Sequence, residues 1–293
     1  MRRKRSTDHP VAGALFVLPF FLVVMAFLVV PLGYAFWLSL SSKSLALGER
    51  FTGLANYTRA FTDPVLLDGF LRVIVFGAVQ IPVMLGIALA GALALDAVTT
   101  RFAIAFRLIA FMPYAVPAVL GALMWGFLYS RTFGPFADLP TLFGGEPVDF
   151  FSTSLLLASL GNIVTWAWTG YNMIVLYSAL QGVPREMYEA ALIDGASQVQ
   201  IALRVKVPAI KQAIALATIF TVIGTMQFFV EPYVMSRFAP QISAGYTPNI
   251  YAYNQAFAYS DFHYSAAISF ALGFVVFVAA YAFVLLTRKR RAS

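Results

Sequence analysis

The sequence predicts an all-α membrane protein of six transmembrane helices with both termini on the cytoplasmic side. Three observations carry this reading. The 293 residues are 60% hydrophobic and 11% charged, where a soluble domain is about 45–50% apolar and about 25% charged; mean hydropathy is +0.79. The charged residues lie between six long uncharged runs rather than within them. Lysine and arginine are unequally shared among the loops that those runs define. A soluble fold of this length has no interior large enough for so much apolar side chain, so an ordinary soluble enzyme, a disordered chain and a fibrous protein are excluded. The lack of cysteine rules out disulfides, cysteine-zinc sites and iron–sulfur clusters. Two histidines, His9 and His263, are too few for a histidine-rich metal site.

An α-helix rises 1.5 Å per residue, so about 20 apolar residues cross roughly 30 Å of hydrocarbon. The runs near 11–40, 73–95, 108–130, 155–180, 212–230 and 264–287 meet that length. Within hydrocarbon a single segment satisfies its own backbone only as a helix. The first run follows Arg2-Arg3-Lys4-Arg5, as a secretory signal would. It is far longer than the apolar core of such a signal, about 7–15 residues, and is read as a retained helix. Pro19 and Pro31 in the first run, Pro82 in the second, and Pro113 and Pro117 in the third predict bends that membrane helices tolerate.

Six crossings return the chain to its starting side. That side carries fourteen basic residues, including Arg2, Arg3, Lys4, Arg5, Arg107, Arg204 and Lys206. The other side carries six: Lys43, Arg50, Arg59, Arg72, Arg131 and Arg237. Basic loops stay cytoplasmic, which puts residues 1–10 and the C-terminus inside and makes 11–290 one membrane domain. The net charge of +7 thus reads as a topology signal, with no nucleic acid as partner and membrane lipid as the surroundings.

No run carries a charged residue at its middle, and Glu231 and Arg72 stand only near run ends. Proton-coupled transport normally needs a titratable group on its path, so that class is disfavoured. No phosphate-binding Gly-x-x-x-x-Gly-Lys-Ser/Thr loop and no His-Glu-x-x-His or Gly-x-Ser-x-Gly site occurs. The chain is therefore read as non-catalytic, with no metal and no cofactor of its own. What the runs do carry is polar and uncharged: Asn162, Thr165, Trp166, Trp168, Tyr171 and Asn172 in the fourth, and Thr218, Thr221, Thr225 and Gln227 in the fifth. Thr218, Thr221 and Thr225 share one helix face. Hydroxyls and amides beside aromatic rings suit a neutral, hydroxyl-rich solute. The same residues also serve helix–helix packing in membranes, and both readings stay open.

The loop at 184–208 has the clearest pattern. Pro184 suits a helix start, Glu186 and Glu189 complement its positive end, and Gly195 suits a left-handed stop. A basic segment from Arg204 to Lys211 then enters the fifth run. The result is a short helix, a glycine turn and a second helix, with small residues at Ala190, Ala191 and Gly195 that permit close approach by a partner.

This loop resembles the cytoplasmic signature of ABC importer permeases: Glu-Ala-Ala, three residues, Gly, nine residues, Ile-x-Leu-Pro. Here it reads Glu189-Ala190-Ala191, three residues, Gly195, nine residues, Val205-Lys206-Val207-Pro208, with Val replacing both Ile and Leu. The segment from Arg107 to Pro117 with Trp125, the loop from Gly182 to Ala196, and 247–268 with Tyr251, Phe257 and Tyr264 resemble the carbohydrate-uptake branch, of the maltose and glycerol-3-phosphate permease type. His263 stands where that branch commonly has glycine, and the resemblance is weakest at 41–68 and 131–150. It implies a type I ABC importer permease fold in a prokaryotic inner membrane. The implied partners are two ATPase subunits, a second homologous permease subunit and an extracytoplasmic solute-binding protein that delivers a sugar. It implies that the loop's first helix seats in an ATPase cleft through Glu189, Ala190, Ala191 and Gly195. It also implies that solute contacts come from the fourth and fifth spans, near Tyr171, Thr221 and Thr225. A permease for glycerol phosphodiesters or polyols, or a stand-alone secondary transporter, is the alternative.

Overall fold

The computed structural model describes residues 10–44, 48–97 and 102–289. The basic stretch ahead of Pro10, together with Arg101, Arg290 and Arg291, lies outside the described residues. The described chain is mostly helical: α1 (Pro10–Val24), a π-turn (Met25–Val29), α2 (Val30–Ser39), β1 (Ser41–Ser44), β2 (Gly48–Phe51), α3 (Ala55–Thr62), α4 (Pro64–Ala97), α5 (Phe102–Ala115), α6 (Ala118–Leu128), α7 (Pro135–Asp138), α8 (Leu156–Leu180), α9 (Arg185–Ile193), α10 (Gln198–Ile201), α11 (Val207–Ala209), α12 (Lys211–Met226), α13 (Val230–Met235), α14 (Pro248–Phe257) and α15 (Phe262–Lys289). Four stretches are long and apolar enough to cross a membrane: Ala14–Ser39, Pro64–Ala97, Lys211–Met235 and Phe262–Phe283. The bent pair α5–α6 would make a fifth.

The chain forms two compact units: residues up to 62 with 252–271, and 63–251 with 272 onward. In the first, the long N-terminal helix is apolar on every side and none of its most apolar stretch is buried by the chain. Its π-turn precedes Pro31, which has no N–H for the carbonyl of residue 27; the Val30 N–H instead reaches back to Met25 O. The all-α expectation needs a correction here, because β1 and β2 pair antiparallel with Ser41 opposite Phe51. Asn56 holds the hairpin's base by donating to the carbonyls of Ser39 and Ser41, at 3.0 and 2.8 Å. Arg59 bridges Asp261 at 3.1 Å and lies over the Tyr264 ring. The left-handed residue in the turn before α15 is Ser260, at φ 58°. His263 sits in the first turn of α15, in helical backbone that asks for no glycine.

The second unit is centred on α8, which packs against α4 and α5, while α12 packs on α4 and α6 on α13. The α4–α8 contact is made of small and apolar residues: Ala88 and Ala92 are fully buried beside Met173, Leu176 and Leu180. Gly170 lets α5 approach so closely that any side chain there would collide with the Ala110 backbone. The fourth run, expected at 155–180, is the single 25-residue helix α8. The third run is not a single rod. It breaks into α5 and α6, which meet at 95°. Pro117, at φ −53° and ψ 131°, leaves the helical region and starts α6 afresh. The fifth run is interrupted between α12 and α13 but stays one span, Lys211–Met235, without the sharp bend of the third.

Candidate functional site

The break between α12 and α13 opens a cavity of about 340 Å³ within the second unit. At the end of α12 the Gln227 N–H bonds back to Gly224 and Ile223, and Asn249 donates to the Met226 carbonyl at 3.1 Å. The freed chain turns Phe228 against Phe76, ring on ring at 4.5 Å. Gln227 and Glu231 are left on the cavity wall. From α8 the wall receives Trp168, Tyr171 and Asn172, and from α12 Thr221 and Thr225. All three residues expected to meet solute, Tyr171, Thr221 and Thr225, are thus brought to one cavity. Tyr114 stacks on Tyr171 at 4.8 Å and meets Trp168 edge-on at 5.2 Å, which holds both rings in place.

The polar residues of the two runs divide between the two readings. Thr165 accepts a hydrogen bond from Gln80 at 2.8 Å across α4 and α8, and Asn162 donates to Tyr129 at 2.7 Å. Trp166 packs edge-on against Trp125. These three are packing residues. Thr218 lines a separate, apolar cavity of about 290 Å³ beside Pro82 and Leu85. Sequence reasoning missed Glu231 as a wall residue. Its signal was its place directly after the fifth uncharged run, but only the fold brings it to the same cavity as Thr225. No lysine or arginine is among the residues lining this cavity.

The loop between α8 and α12 forms as its residues require. Pro184, one residue ahead of α9, caps it with extended backbone. At the other end Gly195 takes φ 80°, the Gly195 N–H bonds to Leu192 O, and the Ala196 N–H bonds to Ala191 O at 2.9 Å. This is the paired bonding that stops a helix with a left-handed glycine. Ser197 and Gln200 then cap α10 reciprocally, through bonds of 3.3 and 2.7 Å. Glu189, Ala190 and Gly195 are exposed and Ala191 is half-buried. The same helix exposes Met187, Leu192 and Ile193, the last at 86%.

A family model for the inner membrane component of binding-protein-dependent transport systems matches residues 83–291. The chain belongs to this family. It is 30% identical to the lactose transport system permease protein LacF of Rhizobium radiobacter over 289 residues, covering 97% of this chain and 96% of that one. It is 27% identical to the arabinooligosaccharides transport system permease protein AraP of Bacillus subtilis, covering 94% of each. The resemblance to carbohydrate-uptake permeases, drawn from the loop and from the third run, therefore holds. In fold the permease is similar to a chain of a bacterial ABC transporter that imports the acidic polysaccharide alginate, with a TM-score of 0.84 at 17% identity over 96% of both chains. A related alginate transporter structure, in complex with a pentasaccharide-bound periplasmic protein, gives a TM-score of 0.83.

Proposed function

We propose that this permease is one half of the path of an ATP-driven importer, and that it passes a neutral, hydroxyl-rich saccharide delivered by an extracytoplasmic binding protein. The observation that carries the solute class is the cavity wall. Tyr171, Thr221, Thr225, Asn172 and Gln227 offer donors and acceptors, Trp168 and Tyr171 offer ring faces, and Glu231 offers a carboxylate with no base opposite it. Such a wall accepts hydroxyls and disfavours an anion. A phosphodiester solute would meet Glu231 without a counter-cation, so that alternative fits poorly. The sugar permeases among the relatives point the same way.

In this reading the chain crosses the membrane six times, with α8 and the bent pair α5–α6 among the crossings and both termini cytoplasmic. A second homologous permease completes the path. Two separate ATPase subunits hydrolyse ATP, and one of them seats on α9 of this chain through Glu189, Ala190, Ala191 and Gly195, so the chain itself is non-catalytic and needs no cofactor. The exposure of Glu189, Ala190 and Gly195, with nothing within 4 Å of a side chain placed at Gly195, supports that contact. A test uses proteoliposomes holding the whole assembly with its binding protein. ATP-dependent uptake of labelled neutral disaccharides, without uptake of a glycerol phosphodiester, is expected. Uptake that proceeds equally well without the ATPase would instead make the chain a stand-alone transporter.

A further inference from the structure

Beneath α9 lies a buried ionic cluster that the signature motif does not include. Lys206, the last residue of a π-turn (Ala202–Lys206), places Nζ 2.5 Å from Asp96 Oδ2 in the last turn of α4. The side chains of the pair are only 11% and 9% exposed. Gln181, at the end of α8, donates Nε2 to the other Asp96 oxygen at 2.8 Å. The Lys206 ammonium lies 4.8 Å from the centre of the Tyr188 ring on α9. The Tyr188 hydroxyl is buried without a hydrogen-bond partner, and its phenol is pushed above its usual range by burial and then by the Asp96 carboxylate. Four elements therefore meet on one ion pair. Lys206 occupies the variable position of the Val-x-Val-Pro segment, so the motif itself does not call for a lysine there.

A buried ion pair adds little net stability, since desolvation offsets its attraction, but it permits very few arrangements of the groups around it. A π-turn is rare overall and frequent at functional positions. We propose that the Asp96–Lys206 pair, with Gln181 and Tyr188, locks α9 to the ends of α4 and α8 as one rigid body, so that a push on α9 is delivered to the helices that wall the cavity. These are positioning residues. The proposal rests on the reading of α9 as the ATPase contact.

The native chain has no cysteine, so spin labels can be placed at Arg185→Cys on α9 and Ser178→Cys on α8, both exposed positions. The label separation is measured by pulsed electron resonance in the complete assembly in nanodiscs, with and without ATP and vanadate. A locked joint keeps the native separation within about 2 Å between the two states, whereas a slipping joint shifts it by about one helical turn, roughly 5 Å. In Lys206→Met or Asp96→Asn the shift is expected to appear, and in Lys206→Arg to vanish again. A native shift of that size, or a Lys206→Met joint as steady as the native one, overturns the proposal. Where a variant does not fold, the native measurement still decides. A label at Arg185 that is not immobilised when ATPase is added marks failure of the docking reading instead.

Discussion

The cavity and the α9 loop spend small residues in opposite ways. Around the cavity, small residues bring helices together: Gly77 lies against the Thr225 methyl, Gly170 against the Ala110 backbone, and Ala88 and Ala92 are sealed between α4 and α8. In the loop, small residues keep a surface bare. A side chain at Gly195 would meet nothing within 4 Å, and Ala190 is exposed. One region is therefore intolerant of added volume. The other has open space beside it, which the proposed ATPase contact would fill, while its own folding depends on one left-handed turn.

Substitutions at four positions sharpen that contrast, and the first belongs to neither region alone. Asp96→Ala leaves the Lys206 ammonium buried and unpaired, and is expected to cost about 3–5 kcal/mol, seen as poor recovery and early melting of detergent-purified protein. Gly170→Val drives a branched side chain into the α5 backbone; overpacking of this kind costs about 1–3 kcal/mol or more, and melting together with loss of uptake is the measure. Gly195→Val puts a β-branched residue at positive φ, for about 1–2 kcal/mol, while Gly195→Asn should melt like the native chain because asparagine tolerates that conformation. Thr221→Val removes only a hydroxyl from the cavity wall. Melting should be unchanged and apparent affinity for the transported sugar should fall about 2- to 10-fold, the worth of one net hydrogen bond. An equal loss of stability in Thr221→Val would make that hydroxyl a packing group and weaken the contrast.

The two regions also differed in how far their residues announced them. The loop is contiguous and its conformation is local: proline before the helix and glycine after it each act within four residues and were legible, while the equally local cap of Ser197 and Gln200 was not read. The cavity was legible only as a set of residue types on the fourth and fifth runs. Which of them face it depends on α4, on the break after Met226 and on the turn at Pro117, all set by packing between segments far apart in sequence. Hence Tyr171, Thr221 and Thr225 line one cavity, Asn162, Thr165 and Trp166 hold helices, and Glu231, legible only as a charge at a run end, lies on the cavity wall. Pro117 was legible as a bend but not as a right-angled one. Nothing in the apolar pattern of the third run distinguishes a kinked rod from two helices meeting at 95°. The β1–β2 hairpin lies in 41–68, where the family resemblance was weakest.

The central claim is that an ATPase drives this permease through α9, and co-purification tests it most directly. The native chain and Gly195→Asp are each drawn from solubilised membranes of the same cells. Aspartate accepts a left-handed conformation better than most residues, so the variant should fold, insert and retain its partner permease while its carboxylate stands in the docking space. The account predicts that the native chain brings down an ATPase and takes up sugar only with ATP, and that Gly195→Asp loses both. A native chain that purifies without an ATPase and still moves solute without ATP would contradict it.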